Sequence, residues 1–257
     1  MSKINNNNER ICALIPARYH SSRLPGKPLL RINGKSIIQR TYEQTKKSNM
    51  LSRIIVVTDD DRIVDHVQNF GGEVIKMDYP CLNGTERICR ILNQLDKKYD
   101  IIVNIQGDEP FINPRNIDYA ISKYIENEID DEMVCNTVHC VLNDVEDLAN
   151  RGIGKMVLDI NNNVMYCSRA LIPHTKSGES DKNTKYLGHI GIFVFRRSYL
   201  PLFLSYPNTP AQLAEDIEWL KIIEMGYRIK SFQVESNEIG INTPEDYNYL
   251  SKKYARK

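Results

Sequence analysis

The apolar positions of the first half of the chain fall into short β-branched runs separated by amphipathic stretches. Ile11-Cys-Ala-Leu-Ile15 predicts a buried strand, followed by a polar, cation-rich loop and a helix over about 36–48. Arg53-Ile-Ile-Val-Val-Thr58 is a continuous run of the kind a parallel strand shows when both faces are covered. Asp59-Asp60-Asp61 offers capping carboxylates for a helix through about Phe70, and Gly71-Gly72 ends it. A short strand over 73–76, a helix from Thr85 to about Leu95 and a strand over 100–106 complete this half. Strands alternating with helices predict a mainly parallel sheet covered by helices. Ligands of such sheets bind beyond the carboxyl ends of the strands. The basic loop, the Asp59 cluster and Gln106-Gly-Asp108 all fall at such ends.

The second half is less regular. Strands are predicted over 133–141, 155–160 and 164–169, the last two joined by the turn Asn161-Asn-Asn163, and over 187–195 and 227–234. The polar stretch 177–185 reads as a loop, and 215–225 as a helix ended by Gly226. Thr243 and Pro244 stand at the cap and first position of a final helix.

With 257 residues, 41% hydrophobic, the chain suits one large α/β domain, residues 1–10 forming a polar tail. Its net charge of +1 gives no global attraction to nucleic acid or membrane, so anion binding must be local. No apolar stretch approaches the roughly 18 residues that span a bilayer, and the polar start lacks a signal-peptide pattern, so a cytoplasmic protein is expected. The six cysteines form no CxxC pair and no zinc-spaced cluster, and are expected to be reduced.

Arg18, Arg23 and Lys27, grouped with Ser21, Ser22 and Gly26 just after a strand, can cradle a triphosphate. The competing reading is a solvated basic loop. Asp108, ending a buried strand, suits a Mg²⁺ ligand or a turn carboxylate. Asn83-Gly-Thr-Glu-Arg87 can read a base or ribose, or be a capping turn with Thr85 as the cap. Ser168, Arg169 and His189 sit at or in strands, where they can face an acidic substrate or serve structure. Trp219 reads as core or interface. There is no Walker A or GxGxxG motif and no nucleophile–base arrangement. A phosphate loop with a metal carboxylate and no nucleophile points to direct displacement at phosphorus.

Six motifs occur in an order that resembles one family. They are Pro16-Ala-Arg-Tyr-His-Ser-Ser-Arg-Leu-Pro-Gly-Lys-Pro-Leu29, Asn83-Gly-Thr-Glu-Arg87, Asn104-Ile-Gln-Gly-Asp-Glu-Pro110, Tyr166-Cys-Ser-Arg-Ala-Leu-Ile-Pro173, His189-Ile-Gly-Ile192 and Gly240-Ile-Asn-Thr-Pro-Glu-Asp246. The chain resembles the 3-deoxy-manno-octulosonate cytidylyltransferases, or CMP-Kdo synthetases, from about Ile11 to Tyr249. The resemblance implies a three-layer α/β sandwich of the nucleotide-diphospho-sugar transferase type, with a mixed, mostly parallel sheet. It implies a sugar-binding and dimerisation lobe within about 133–200 and a homodimer. It implies that the anomeric hydroxyl of the acidic keto-sugar attacks the α-phosphorus of CTP, releasing pyrophosphate, in the supply of lipopolysaccharide precursors. By that likeness Arg18 and Lys27 hold the phosphates with Arg23 in support. Pro16, Ala17, Thr85, Arg87 and Gln106 contact the nucleotide, Gln106 lying beside the sugar as well. Arg169, His189, Glu215 and Glu218 match the sugar site, and Asp108 the Mg²⁺ ligand.

Three departures stand out. Asn242 occupies the position of a family Asp that is a second metal ligand; Trp219 replaces a polar Gln; and Arg151-Gly-Ile-Gly154 replaces an Asn-Pro-Asn-like turn before Lys155. They leave the nucleotide half intact and alter the sugar and metal half, so Kdo or a modified relative such as an 8-amino form is expected as substrate. Activation of another acidic sugar, such as a nonulosonate, is the nearest alternative. A nucleotide-binding member without turnover is a third reading, prompted by Asn242.

Overall fold

The computed structural model describes residues 10–21, 23–127, 132–178, 180–235 and 240–255; Ser22 and the Asn-rich tail lie outside the described residues. β1 (Ile11–Ala17) is buried almost throughout. A two-residue hairpin, β2 (Arg31–Ile32) and β3 (Lys35–Ser36), leads into α1 (Ile37–Thr45), whose cap Ser36 accepts from Gln39 N at 3.1 Å. β4 (Arg53–Thr58) follows as expected, then α2 (Asp61–Asn69) capped by Asp60, β5 (Val74–Lys76), α3 (Gly84–Arg90) and β6 (Ile101–Ile105). α3 is shorter than its predicted span to Leu95. After Arg90 the chain tightens into a 3₁₀ turn, Leu92–Gln94, which buries Leu92 and Leu95 three residues apart on one side.

Residues 111–132, which the sequence reading leaves unassigned, contain α4 (Pro114–Glu126). Its signal is present in the chain: Asn113 caps it, Pro114 opens it, and Ile117, Ala120, Ile121 and Tyr124 are buried at helical spacing. β7 (Met133–Leu142), α5 (Val145–Ala149), the hairpin β8 (Lys155–Leu158) and β9 (Val164–Ser168), and β10 (Tyr186–Arg196) come next. α6 (Leu200–Ser205) and α7 (Pro210–Glu215) precede a break, α8 (Leu220–Glu224), β11 (Arg228–Gln233) and α9 (Pro244–Lys253).

The break corrects the predicted helix over 215–225. Asp216 turns left-handed at φ 51° and ends α7. Ile217, Trp219 and Leu220 are all buried. The chain therefore leaves the helix at Asp216 and re-enters one only at Leu220, with Glu218 in the connecting turn.

Among the described residues nine strands join in one sheet, ordered β11-β7-β10-β6-β1-β4-β5, with β8 on β10 and β9 on β8. β10 runs antiparallel to β6, β7 and β8, and β9 is antiparallel to β8; the other pairings are parallel. The sheet is therefore mixed and mostly parallel, β9 and β10 alone being reversed among these strands. Alternation along β1 sends Cys12 and Leu14 into one core and Ile11, Ala13 and Ile15 into another on the opposite face, giving three layers. A third cluster, Ile32, Ile37, Ile241 and Leu250, seats α9. Phe111 stacks on Tyr254 there at 3.8 Å between centroids. The described cysteines are all free, and five are buried. No helix of the described residues is long and apolar enough to cross a membrane.

Candidate active site

The carboxyl ends of β1 and β6 open into a cleft of about 330 Å³. The two strand ends approach closely because residue 107 has no side chain. A Cβ there would lie 2.7 Å from the Pro16 carbonyl oxygen. Of the residues singled out from the sequence, Pro16, Ala17, Arg18, Arg23, Lys27, Arg87, Gln106, Asp108, Arg169, His189, Glu218 and Asn242 line this one cleft.

The basic loop is folded on itself rather than loose. Gly26 turns left-handed at φ 66° and donates its N–H to the Tyr19 carbonyl at 3.0 Å. The Tyr19 ring lies against Gly26, and the Arg62 guanidinium covers the ring at 3.3 Å from its centroid. Lys27 then points inward, and its Nζ donates to Asp108 Oδ2 at 2.6 Å and to the Ile241 carbonyl at 2.9 Å. Arg18 is exposed and reaches the Leu82 carbonyl across the cleft at 3.5 Å.

The Asn83–Arg87 segment corrects part of the reading. Asn83, not Thr85, is the cap, its Oδ1 accepting from Glu86 N at 2.8 Å. Thr85 is buried beneath the cleft wall and does not line the cleft. Its side chain is taken up by Asn104, Nδ2 to Oγ1 at 3.3 Å, and its N–H donates to Glu218 Oε2 at 2.9 Å. Glu218 thus ties the start of α3 to the opposite wall, and burial pushes its carboxyl up. Arg87 is buried, one Nη donating to Asp59 Oδ2 at 2.9 Å; its Nη1 has no hydrogen-bond partner among the described residues.

Glu215 stands apart from the other residues singled out. It does not line this cleft but a neighbouring cavity beside Arg151 and Leu171. Its carboxylate accepts from the Ser168 hydroxyl at 2.7 Å and Arg169 N at 3.0 Å. That places it as a support for Arg169. The Arg169 guanidinium donates to three carbonyls, those of Glu215 (2.8 Å), Arg151 (3.0 Å) and Asp216 (2.7 Å). His189 is flanked by Trp219 and Phe193, with ring centroids at 5.0 and 4.7 Å. Trp219 is therefore a cleft wall and part of the core at once. Burial and the neighbouring His139 hold His189 low, at about 3, so it is neutral near pH 7.

The sequence reading missed Glu109 as a site residue. It is buried in the cleft wall, and Oε1 accepts from Gly191 N at 3.1 Å. Burial and the adjacent Asp108 charge push it up to about 8. A second carboxylate next to Asp108, in a run between a buried strand and a proline, was the available signal. Lys155, named from the sequence only as the residue after the altered turn, is a buried cation. It is fully buried behind the cleft, bonded to the Asn150 carbonyl, and burial lowers it to about 8.

A cytidylyltransferase family model matches residues 12–231. A 3-deoxy-manno-octulosonate cytidylyltransferase of Protochlamydia amoebophila is 42% identical over 239 residues, covering 92% of this chain and 91% of that protein. A mitochondrial enzyme of the same name from Arabidopsis thaliana is 41% identical over 237 residues, covering 92% and 80%. A solved structure of a CMP:2-keto-3-deoxy-manno-octonic acid synthetase complexed with CTP superposes with a TM-score of 0.85 at 32% identity, covering 96% of this chain and 98% of that one.

Proposed function

The chain belongs to the 3-deoxy-manno-octulosonate cytidylyltransferase family, and from that premise we propose how its cleft works. The enzyme transfers CMP from CTP to 3-deoxy-manno-octulosonate (Kdo). The observation that carries this reading is the single cleft that brings the three phosphate-loop cations together with Arg169 and His189. CTP lies toward Arg18, Arg23 and Lys27, with its base and ribose toward Asn83, Gly84 and Arg87. The acidic sugar lies toward Arg169, His189 and Trp219, with Gln106 between the two. The anomeric hydroxyl oxygen attacks the α-phosphorus, the bond to the bridging oxygen breaks, pyrophosphate leaves and the hydroxyl proton is lost. Catalysis rests on positioning the two substrates and on cations that meet charge where it develops.

The donor set fits a magnesium ion. Mg²⁺ keeps several waters and takes one or two protein oxygens plus substrate phosphates. Asp108 offers a carboxylate and Asn242 an amide oxygen on the same cleft wall. Bound there, Mg²⁺ would neutralise charge on the triphosphate. The side chain of Asn242 is set by its loop, where the N–H groups of Asn242 and Thr243 both donate to Asp246 Oδ2 at 2.8 Å. A homodimer and a place in lipopolysaccharide precursor supply follow from the family likeness alone.

The named relatives favour Kdo over other acidic sugars and over a non-catalytic role. Pyrophosphate release from CTP and Mg²⁺, with Kdo and its 8-amino form in parallel, tests the reading. Release with Kdo is expected; release with the amino sugar alone would move the assignment to the modified substrate, and silence with both would overturn it.

A further inference from the structure

β10 slips register against β7 between Ile190 and Phe193, so residues 191 and 192 have no partner on that strand. Such bulges re-aim side chains beside sites. This one is pinned from the other side: Gln106 N donates to the Gly191 carbonyl at 2.9 Å, and Gly191 N donates to Glu109 Oε1. The side chain of Thr137 fills the gap on β7. Its Oγ1 lies 2.7 Å from the Ile192 carbonyl oxygen and 2.9 Å from His189 Nε2.

A threonine hydroxyl has one proton to give, and a carbonyl oxygen can only accept. The Thr137 proton is therefore directed at Ile192, and the same oxygen must accept at its other contact. His189 then carries its hydrogen on Nε2. In the neutral ring the lone pair is left on Nδ1. The opposite arrangement would leave two buried oxygens 2.7 Å apart with no hydrogen between them. Nδ1 makes no hydrogen bond to the described residues, and His189 lines the cleft.

We propose that Thr137 is a positioning residue that locks His189 in the Nε2–H tautomer and so presents Nδ1 as a hydrogen-bond acceptor to a hydroxyl of the second substrate. The assignment of that substrate rests on the reading above; the tautomer does not. On this view His189 selects for a hydroxyl donor, while the substrate's carboxylate must be met elsewhere. A neutral ring with its one N–H already spent inside the protein has nothing to donate to an anion.

The test is a long-range ¹H–¹⁵N correlation spectrum of the free protein, with the His189 signals identified by their loss in His189→Gln. The Nε2–H pattern is expected in the wild type, with a shift at Nδ1 on adding Kdo and none on adding CTP alone. Thr137→Val keeps the shape but removes the hydroxyl. It should lose the single-tautomer pattern and lower kcat/KM for the sugar acid about tenfold, the worth of one buried hydrogen bond, with KM for CTP unchanged. Thr137→Ser should restore both. An Nδ1–H or doubly protonated His189 in the wild type overturns the proposal, as does a Thr137→Val protein with wild-type spectrum and kinetics. If Thr137→Val fails to fold, the wild-type spectrum still decides. An Nε2–H pattern in a protein that releases no pyrophosphate with Kdo would uphold the lock while the sugar assignment fell.

Discussion

Lys27 Nζ and Asp108 Oδ2 stand 2.6 Å apart, joining the basic loop to the end of β6 across 81 residues of sequence. The same ammonium reaches the Ile241 carbonyl, so one cation holds three segments of the cleft. Its removal should do more than loosen substrate. Lys27→Met is expected to lower kcat about 10²–10³-fold, the scale of losing one preorganised charge at a transition state. Lys27→Arg should not rescue it, because a planar fork cannot replace a point charge between two oxygens. Initial rates of pyrophosphate release decide; a rise in KM for CTP at unchanged kcat would assign Lys27 to ground-state binding only.

Asn242 gives a prediction of opposite sign. A carboxylate in its place adds a negative charge to the wall that carries Asp108. Asn242→Asp should therefore lower the Mg²⁺ concentration for half-maximal rate several-fold. An unchanged magnesium titration would remove Asn242 from the metal site.

The close approach of the β1 and β6 ends depends on residue 107. Gly107→Ala sets a methyl 2.7 Å from a backbone carbonyl, which cannot swing aside. A loss of about 1–3 kcal/mol is expected, the usual cost of overpacking. At Gly154 the nearest atoms to a new Cβ are 3.9–4.0 Å away, and Gly154→Ala should stay within about 0.5 kcal/mol of wild type. Urea unfolding of the two variants tests the contrast.

His139 sets a pH dependence. It is buried on β7, its Nδ1 2.8 Å from Ser231 Oγ, and burial lowers it to about 4. The unfolded imidazole binds its proton near 6.5, and the folded one only near 4. Stability linked to His139 is thus fully present above about pH 6.5 and is lost as pH falls toward 4, with a slope of at most about 1.4 kcal/mol per pH unit. His139→Gln should show a shallower fall of its urea midpoint between pH 6.5 and 4. His189 adds a further slope in the same direction, so the fall will not vanish. Parallel curves for the two proteins would show that His139 does not titrate on unfolding.

Much of the cleft was legible from the chain because strand ends gather functional groups, and the strands announce themselves as β-branched runs. Arg18, Lys27 and Asp108 could be placed together on that argument alone. The positions of Glu215 and Thr85 relative to the cleft were not legible, because they turn on where short helices begin and stop. A left-handed Asp216 moved Glu215 out of the cleft, and capping by Asn83 moved Thr85 under it. Local sequence carries little information about either. The role of Thr137 was equally hidden, since the bulge that brings it to Ile192 exists only once β7 and β10 are paired.

The reversed strand β10 also orders events during synthesis. Among the described residues β7 pairs only with β10 and β11, and β6 meets that half of the sheet only through β10. The strands β1, β4, β5 and β6 are complete by residue 105, each joined to a neighbour of its own group. A nascent chain can therefore assemble the strands that carry the triphosphate loop early, while β7 waits as an unpaired strand until residue 196 has left the ribosome. That wait runs from the completion of β7 at residue 142 to that of β10 at residue 196, some fifty residues of translation.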